Sequence, residues 1–182
     1  MLDQFVRTTL LTLARDTLQE YLGTRRWLSF APSSPALLEP RATFVTLRHR
    51  LTQELRGCRG EIEAQYPLWE SVQRVSVLSA VDDPRFPPMT LRELPDTHIE
   101  ISVLTPLRRV TNPEEIVVGQ HGVMIRHGYH GGLFLPQVPV EQGWDRAEYL
   151  STLCWMKAGL PPDAWRNSDT QLYVFETEIF EE

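Results

Sequence analysis

Between residues 115 and 139 the chain carries glycines at 119, 122, 128, 131 and 132, and the apolar runs left between them are too short for helices. Such a stretch reads as strands joined by tight turns, because glycine supplies the backbone conformations those turns need. The same texture recurs upstream. Residues 42–47 (ATFVTL) are β-branched and aromatic, and residues 55–64 (LRGCRGEIEA) resume an extended pattern after a polar turn. In residues 98–104, Ile99, Ile101 and Val103 alternate with Glu100 and Ser102, so the two sets face opposite sides of a strand. Residues 172–175 form a closing strand.

Helical periodicity appears between these clusters. Val6, Leu10, Leu13, Thr17 and Tyr21 share one face of an amphipathic helix, with Gly23 the expected C-terminal cap. Pro67 opens a second helix through Leu68, Val72, Val75 and Ser79, which stops at Asp82, Asp83 and Pro84; residues 85–88 (RFPP) must be a stiff loop. Asp145 and Glu148 form a capping-box start for a third helix through Ala147, Leu150, Leu153 and Cys154, ended by Gly159, Pro161 and Pro162. Residues 29–41, with three prolines and three serines, read as a connector. Strands cluster without regular βα alternation, so the expected class is α+β: a mostly antiparallel sheet with flanking helices.

A chain of 182 residues that is 42% hydrophobic can bury a core without disulfide or metal staples. Its net charge of −6 argues against nucleic acid or an anionic membrane as partner, while leaving room for a local basic pocket that takes a small anion. Cys58 and Cys154 are too few for a disulfide framework and read as free thiols in a reducing compartment. Asp3, Arg7, Arg15 and Asp16 interrupt the first helix, which is therefore no signal peptide; nothing approaches a membrane span, and the cytoplasm is the expected location.

Three places could carry chemistry. In Leu55-Arg56-Gly57-Cys58-Arg59-Gly60 the glycines permit a bend or close approach, and cations near a thiol favour the thiolate; Arg56, two residues from Cys58, would share its face in an extended segment. The competing account is a small apolar residue beside a turn. Glu100 is either solvated on an open face or aimed at a site as a base. His121, His127 and His130 lie close in sequence, but their spacing fits a hairpin better than zinc, and no metal is expected. Cys154 shares a face with Leu150 and Leu153, which favours a core role. There is no P-loop, no G-x-G-x-x-G after a strand, no H-E-x-x-H and no nucleophile-elbow serine, so no cofactor is expected.

Taken as a series, residues 42–47 (ATFVTL), 55–60 (LRGCRG), 83–88 (DPRFPP), 100–104 (EISVL), 119–122 (GQHG), 135–138 (LPQV), 143–145 (GWD) and 157–160 (KAGL) resemble the AMMECR-type domain. In bacteria and archaea that domain occurs as protein A of the AmmeMemoRadiSam group. The likeness runs from LLTLARDTLQEYL near the start to LYVFETEIF at the end. It implies one domain over residues 1–182, made of two unequal lobes around a cleft, the larger carrying both termini and the smaller inserted. It also implies an active or binding site at the LRGC segment near that cleft. Memo-like and radical S-adenosylmethionine proteins are the implied partners, within a shared pathway. Glu100, His121, Arg85 and Gln137 fall on matching motifs, whereas His127 and His130 do not. The family usually has an aliphatic residue after the cysteine; Arg59 stands there here, and must find a partner or turn to solvent.

Two functions follow as expectations. In the first, the motif residues, Arg56, Gly57, Arg59, Gly60, Arg85 and Gln137 among them, shape a cleft for a small ligand or partner segment, with apolar residues around Trp144, Phe134 and Leu135 offering a surface. In the second, Cys58 is a thiolate nucleophile, His121 or Glu100 its base, and Arg56 or Arg85 the anchor for an anionic substrate group.

Overall fold

The computed structural model describes residues 1–182, and they divide into two compact units, residues 1–104 with 178–182, and residues 105–177. In chain order the regular elements are α1 (Gln4–Thr24), α2 (Pro35–Leu38), β1 (Thr43–His49), β2 (Leu55–Gly60), α3 (Leu68–Val81), β3 (Thr97–Leu104), β4 (Arg108–Val110), β5 (Gly122–His127), β6 (His130–Phe134), α4 (Gln137–Gln142), α5 (Arg146–Thr152), β7 (Gln171–Phe175) and β8 (Thr177–Glu181). The strands form two four-stranded sheets, ordered β2-β1-β3-β8 and β4-β7-β5-β6. No helix is long and apolar enough to cross a membrane.

In the first unit β1 runs antiparallel to both β2 and β3. Alternation decides what each face does. Val45, Leu47, Ile99, Ile101 and Val103 point to one side, where they pack with Val6, Leu10, Ala14 and Leu18 of α1 and Leu68, Val72 and Val75 of α3. Phe44, Thr46, Glu100 and Ser102 therefore lie on the face away from those helices. α1 starts where the Asp3 carboxylate accepts from the Val6 N–H. It does not end at Gly23, however. The helix continues to Thr24, and Arg25 adopts the left-handed conformation at φ 62°. The Arg25 N–H bonds the Tyr21 carbonyl and its guanidinium lies 5.6 Å from the Tyr21 ring centroid, contacts that a cap at Gly23 would forgo. The proline-rich connector holds one helical turn, α2, because Pro35 occupies a first-turn position where its missing N–H costs nothing and Leu37 gains burial.

In the second unit every strand pair is antiparallel. Gly128 and Tyr129 form the two-residue turn between β5 and β6, with Gly128 at φ 58°. The capping box of Asp145 and Glu148 starts α5 as its spacing requires. α5 then passes into a single π-helical turn at Leu153–Lys157, and Cys154 within it is fully buried. Burial pushes that thiol's pKa up, as suits a core residue.

Ile101 sits at zero exposure in the middle strand row, so Ile101→Ala should lower unfolding free energy by about 2–5 kcal/mol. Ile179→Ala, at a position 44% exposed, should cost far less. Paired urea titrations would measure the difference.

Candidate functional site

β2 is an edge strand, and Cys58 stands near its middle. Its register partner is Thr46, whose partner on the other side is Glu100, so these residues form one cross-strand row on the face away from the helices. Gly57, opposite Leu47, faces the helices instead. A Cβ there would lie 2.1 Å from the Ser79 carbonyl oxygen, so only glycine lets the last turn of α3 press against β2. At Gly60 the space of a Cβ is filled by the Phe44 ring, also 2.1 Å away, on the opposite face. The Ser79 hydroxyl enters the ladder itself. It accepts from the Arg59 N–H at 3.0 Å and donates to the Val45 carbonyl at 2.8 Å, and these two residues are register partners.

The outward edge of β2 is held by the segment after α3. The Cys58 N–H donates to Asp83 Oδ2 at 2.8 Å, and Arg85 Nη2 donates to the Cys58 carbonyl at 3.3 Å. Arg85 also grips Asp83 through Nε at 2.9 Å and Nη2 at 2.6 Å. The Asp83 side chain is 2% exposed. The Arg85 hydrogen bond, joined by the Cys58 and Arg85 N–H groups, outweighs burial and holds the carboxyl well below the usual carboxylate range. The same pairing raises the Arg85 pKa. One ion pair thus satisfies both backbone groups that an edge strand would leave open.

The Cys58 sulfur is half-buried and accepts a hydrogen bond from the Thr46 hydroxyl at 3.4 Å. Arg56 falls at a register shift, since Leu47 pairs with Gly57 while Arg48 pairs with Leu55. The extended geometry expected to align Arg56 with Cys58 is therefore broken. Arg56 reaches Glu93 Oε1 at 2.8 Å and the Pro87 carbonyl at 3.0 Å, while its Nη1 is buried without a partner. The guanidinium carbons of Arg56 and Arg85 lie 5.9 and 5.5 Å from the Phe86 ring centroid. Arg59 pairs with Asp82 at 3.5 Å and stays 42% exposed, meeting both alternatives open to it.

Glu100 is half-buried and makes neither a hydrogen bond nor an ion pair; its backbone is two strand spacings, about 10 Å, from that of Cys58. His121 and Gln137 belong to the second unit. His121 Nδ1 accepts from the Val117 N–H at 3.1 Å and Nε2 lies 4.0 Å from Glu176, so the ring fastens its own loop. Gln137 opens α4 with Oε1 buried and unpartnered. His127 and His130 face each other across the hairpin but turn to the Thr170 hydroxyl and the Ala158 carbonyl. No group of three His, Cys, Asp or Glu residues is arranged to hold a metal. Of the apolar residues expected to offer a surface, Phe134 is buried against Trp144 and Tyr149 at ring distances of 5.7 and 6.2 Å, while Trp144 and Leu135 stay half-buried.

Thr46, Ser79, Asp83, Phe86 and Glu93 are not among the expected site residues, although Thr46, Asp83 and Phe86 lie within the matching motifs. Asp83 looked like a helix stop, and Thr46 like strand filler. An acid two residues before an arginine, beside prolines, was the one available hint of a preformed ion pair.

The site is thus an edge strand shaped by two glycines on an α+β frame, with a half-buried thiol on a residue whose backbone N–H and carbonyl are held by an Asp–Arg pair. The chain belongs to the AMMECR1 family, whose model matches residues 11–180. It is 46% identical over 180 residues to protein MK0488 of Methanopyrus kandleri, covering 95% of this chain and 86% of that protein. It is also 46% identical over 182 residues to protein PH0010 of Pyrococcus horikoshii, covering 95% and 88%. The crystal structure of uncharacterized protein PH0010 from Pyrococcus horikoshii superposes with a TM-score of 0.89 at 43% identity, covering all of this chain and 93% of that one.

Asp83 is ionised in the folded state, so its stabilising contribution is complete above the ordinary carboxylate value of about 3.9 and fades as pH falls below it. Asp83→Asn should cost about 1–3 kcal/mol at pH 7, with the gap to wild type closing as the pH falls below about 4, measured by denaturant titration at several pH values. Gly57→Ala forces a Cβ onto backbone and should cost about 1–3 kcal/mol, more than Gly60→Ala, where a phenyl ring can turn aside.

Proposed function

We propose that the β2 edge at Cys58 is a binding site and that the protein is a cytoplasmic accessory factor holding a small ligand or partner segment there. The observation that carries this is the company of the sulfur. A thiol becomes a nucleophile beside a base or an unspent cation. The sulfur's hydrogen-bond partner is the neutral Thr46 hydroxyl. Arg85 is committed to Asp83, and Arg56 to Glu93. What remains available is recognition chemistry: a half-exposed sulfur, the unpaired Glu100 carboxylate for an N–H or cationic group, and a Phe86 ring stiffened by two guanidinium groups.

The row of Cys58, Thr46 and Glu100 favours one alternative. There Glu100 serves as the base that takes the Cys58 proton, which first requires the Thr46 hydroxyl to give up its donation to the sulfur, and the thiolate attacks an electrophilic substrate. His121, the other base considered, already uses Nδ1 as an acceptor for Val117.

The expected partners are Memo-like and radical S-adenosylmethionine proteins of the same organism, and calorimetry with each purified protein tests the proposal. Binding should survive Cys58→Ser within about threefold and weaken about tenfold in Glu100→Arg. A Cys58→Ser protein that keeps the complex but loses pathway output in cells would replace the binding proposal with the thiolate one.

A further inference from the structure

The second unit carries a cavity unrelated to Cys58. β4 and the segment before β7 line an open concavity of about 250 Å³, and the lining contains two exposed arginines, Arg109 and Arg166, and no carboxylate. Elsewhere in the chain, Arg25, Arg26, Arg48 and Arg92 also stand outside ion pairs, but none of them lines this concavity with Arg109 and Arg166. Most of its arginines, Arg7, Arg15, Arg41, Arg50, Arg85 and Arg146 among them, stand within 4.0 Å of an acid. Arg109 and Arg166 make no ion pair and no side-chain hydrogen bond. The carboxylates on the turn after β4 are already used, Glu115 by Arg108 and Glu114 by Arg146. Net charge on the whole protein is −6, so two unneutralised guanidinium groups in one concavity need a reason.

Arg166 is held in place without being neutralised. Its guanidinium lies 4.6 Å from the Trp165 ring centroid, and Trp165 is anchored by Nε1 donating to the Ser151 hydroxyl at 3.2 Å. Stacking on an aromatic face fixes a guanidinium while leaving its N–H edges free. Thr111, Asn167 and Ser168 add hydroxyl and amide groups to the same lining, and their side chains make no hydrogen bonds of their own. Arg166 and Asn167 also line an adjoining cavity of about 380 Å³, shared with His127 and Asp163.

We propose that the Arg109–Arg166 cavity is an anion site that takes the phosphate group of a small organic phosphate, whose body extends past Arg166 and Asn167 into the adjoining cavity. Two guanidinium groups and three neutral polar side chains supply more donors than a carboxylate's two oxygens can use, and they match the three terminal oxygens of a phosphate ester. The smaller cavity is too tight for a whole cofactor-sized ligand, which is why only the phosphate is assigned to it.

The test is an NMR titration of the full chain with glycerol 3-phosphate at constant ionic strength, with inorganic phosphate and acetate in parallel. The signals followed are the Trp165 indole N–H and the amides of Thr111, Asn167 and Ser168. Expected are saturable shifts at these positions, binding by both phosphates tighter than by acetate, and weakening of about tenfold or more in Arg109→Gln and in Arg166→Gln. Arg26→Gln, which removes an exposed arginine of the first unit, should leave binding unchanged. Non-saturating shifts, equal binding of acetate, or equal weakening by Arg26→Gln would each overturn the site. Arg109 makes no ion pair or side-chain hydrogen bond, so a folded Arg109→Gln protein that binds like wild type would do so even if Arg166→Gln failed to fold.

Discussion

A carboxylate that is almost wholly out of water has to be paired, and Asp83 is paired on two sides, with the Arg85 side chain and with the Cys58 N–H. That arrangement joins three features that would otherwise be separate. It ends α3, since the chain must turn at Asp82–Asp83–Pro84 to bring the carboxylate back. It closes the edge of the first sheet at the one residue whose outward backbone groups both find a partner in that turn. It also sets the position of the thiol, because a strand residue clamped at N–H and carbonyl has little freedom in where its side chain emerges.

The glycines complete the same construction from the two faces. Gly57 lets α3 approach until the Ser79 hydroxyl can bridge Arg59 and Val45. Gly60 gives its space to Phe44. Neither glycine is needed for a positive φ; both are needed for clearance. The LRGCRG segment is therefore explained structurally at Gly57, Arg59 and Gly60. Cys58 and Arg56 retain groups that the fold does not consume, the half-exposed sulfur and the buried, unpartnered Nη1.

Much of this was legible along the chain. Alternation in residues 98–104 assigned the two faces of β3 correctly, and the three- and four-residue spacing in α1 and α3 named residues that are buried, except Tyr21, which is half-buried. The capping box at Asp145 and the prolines after residue 82 marked boundaries, because caps and proline act through neighbouring backbone groups. Short elements were not legible. β4 has three residues, too few for a pattern, and β8 alternates weakly with exposed Ile179. Gly23 misled because an αL cap depends on what the next turn can reach, and Arg25 had Tyr21.

For the site, the family resemblance pointed to Arg85, while residue types and spacing singled out Cys58, Glu100 and the two glycines as places where backbone comes close. Local chemistry was enough for that. Which residues meet was decided only by the fold: β1 had to lie between β2 and β3 for Thr46 to stand between Cys58 and Glu100. The turn after α3 had to return to β2 before Asp83 could find the Cys58 N–H, 25 residues earlier. Periodicity is a property of a segment, whereas strand order and edge contacts are set by which segments bury their apolar faces together, and that is settled only when the whole chain packs.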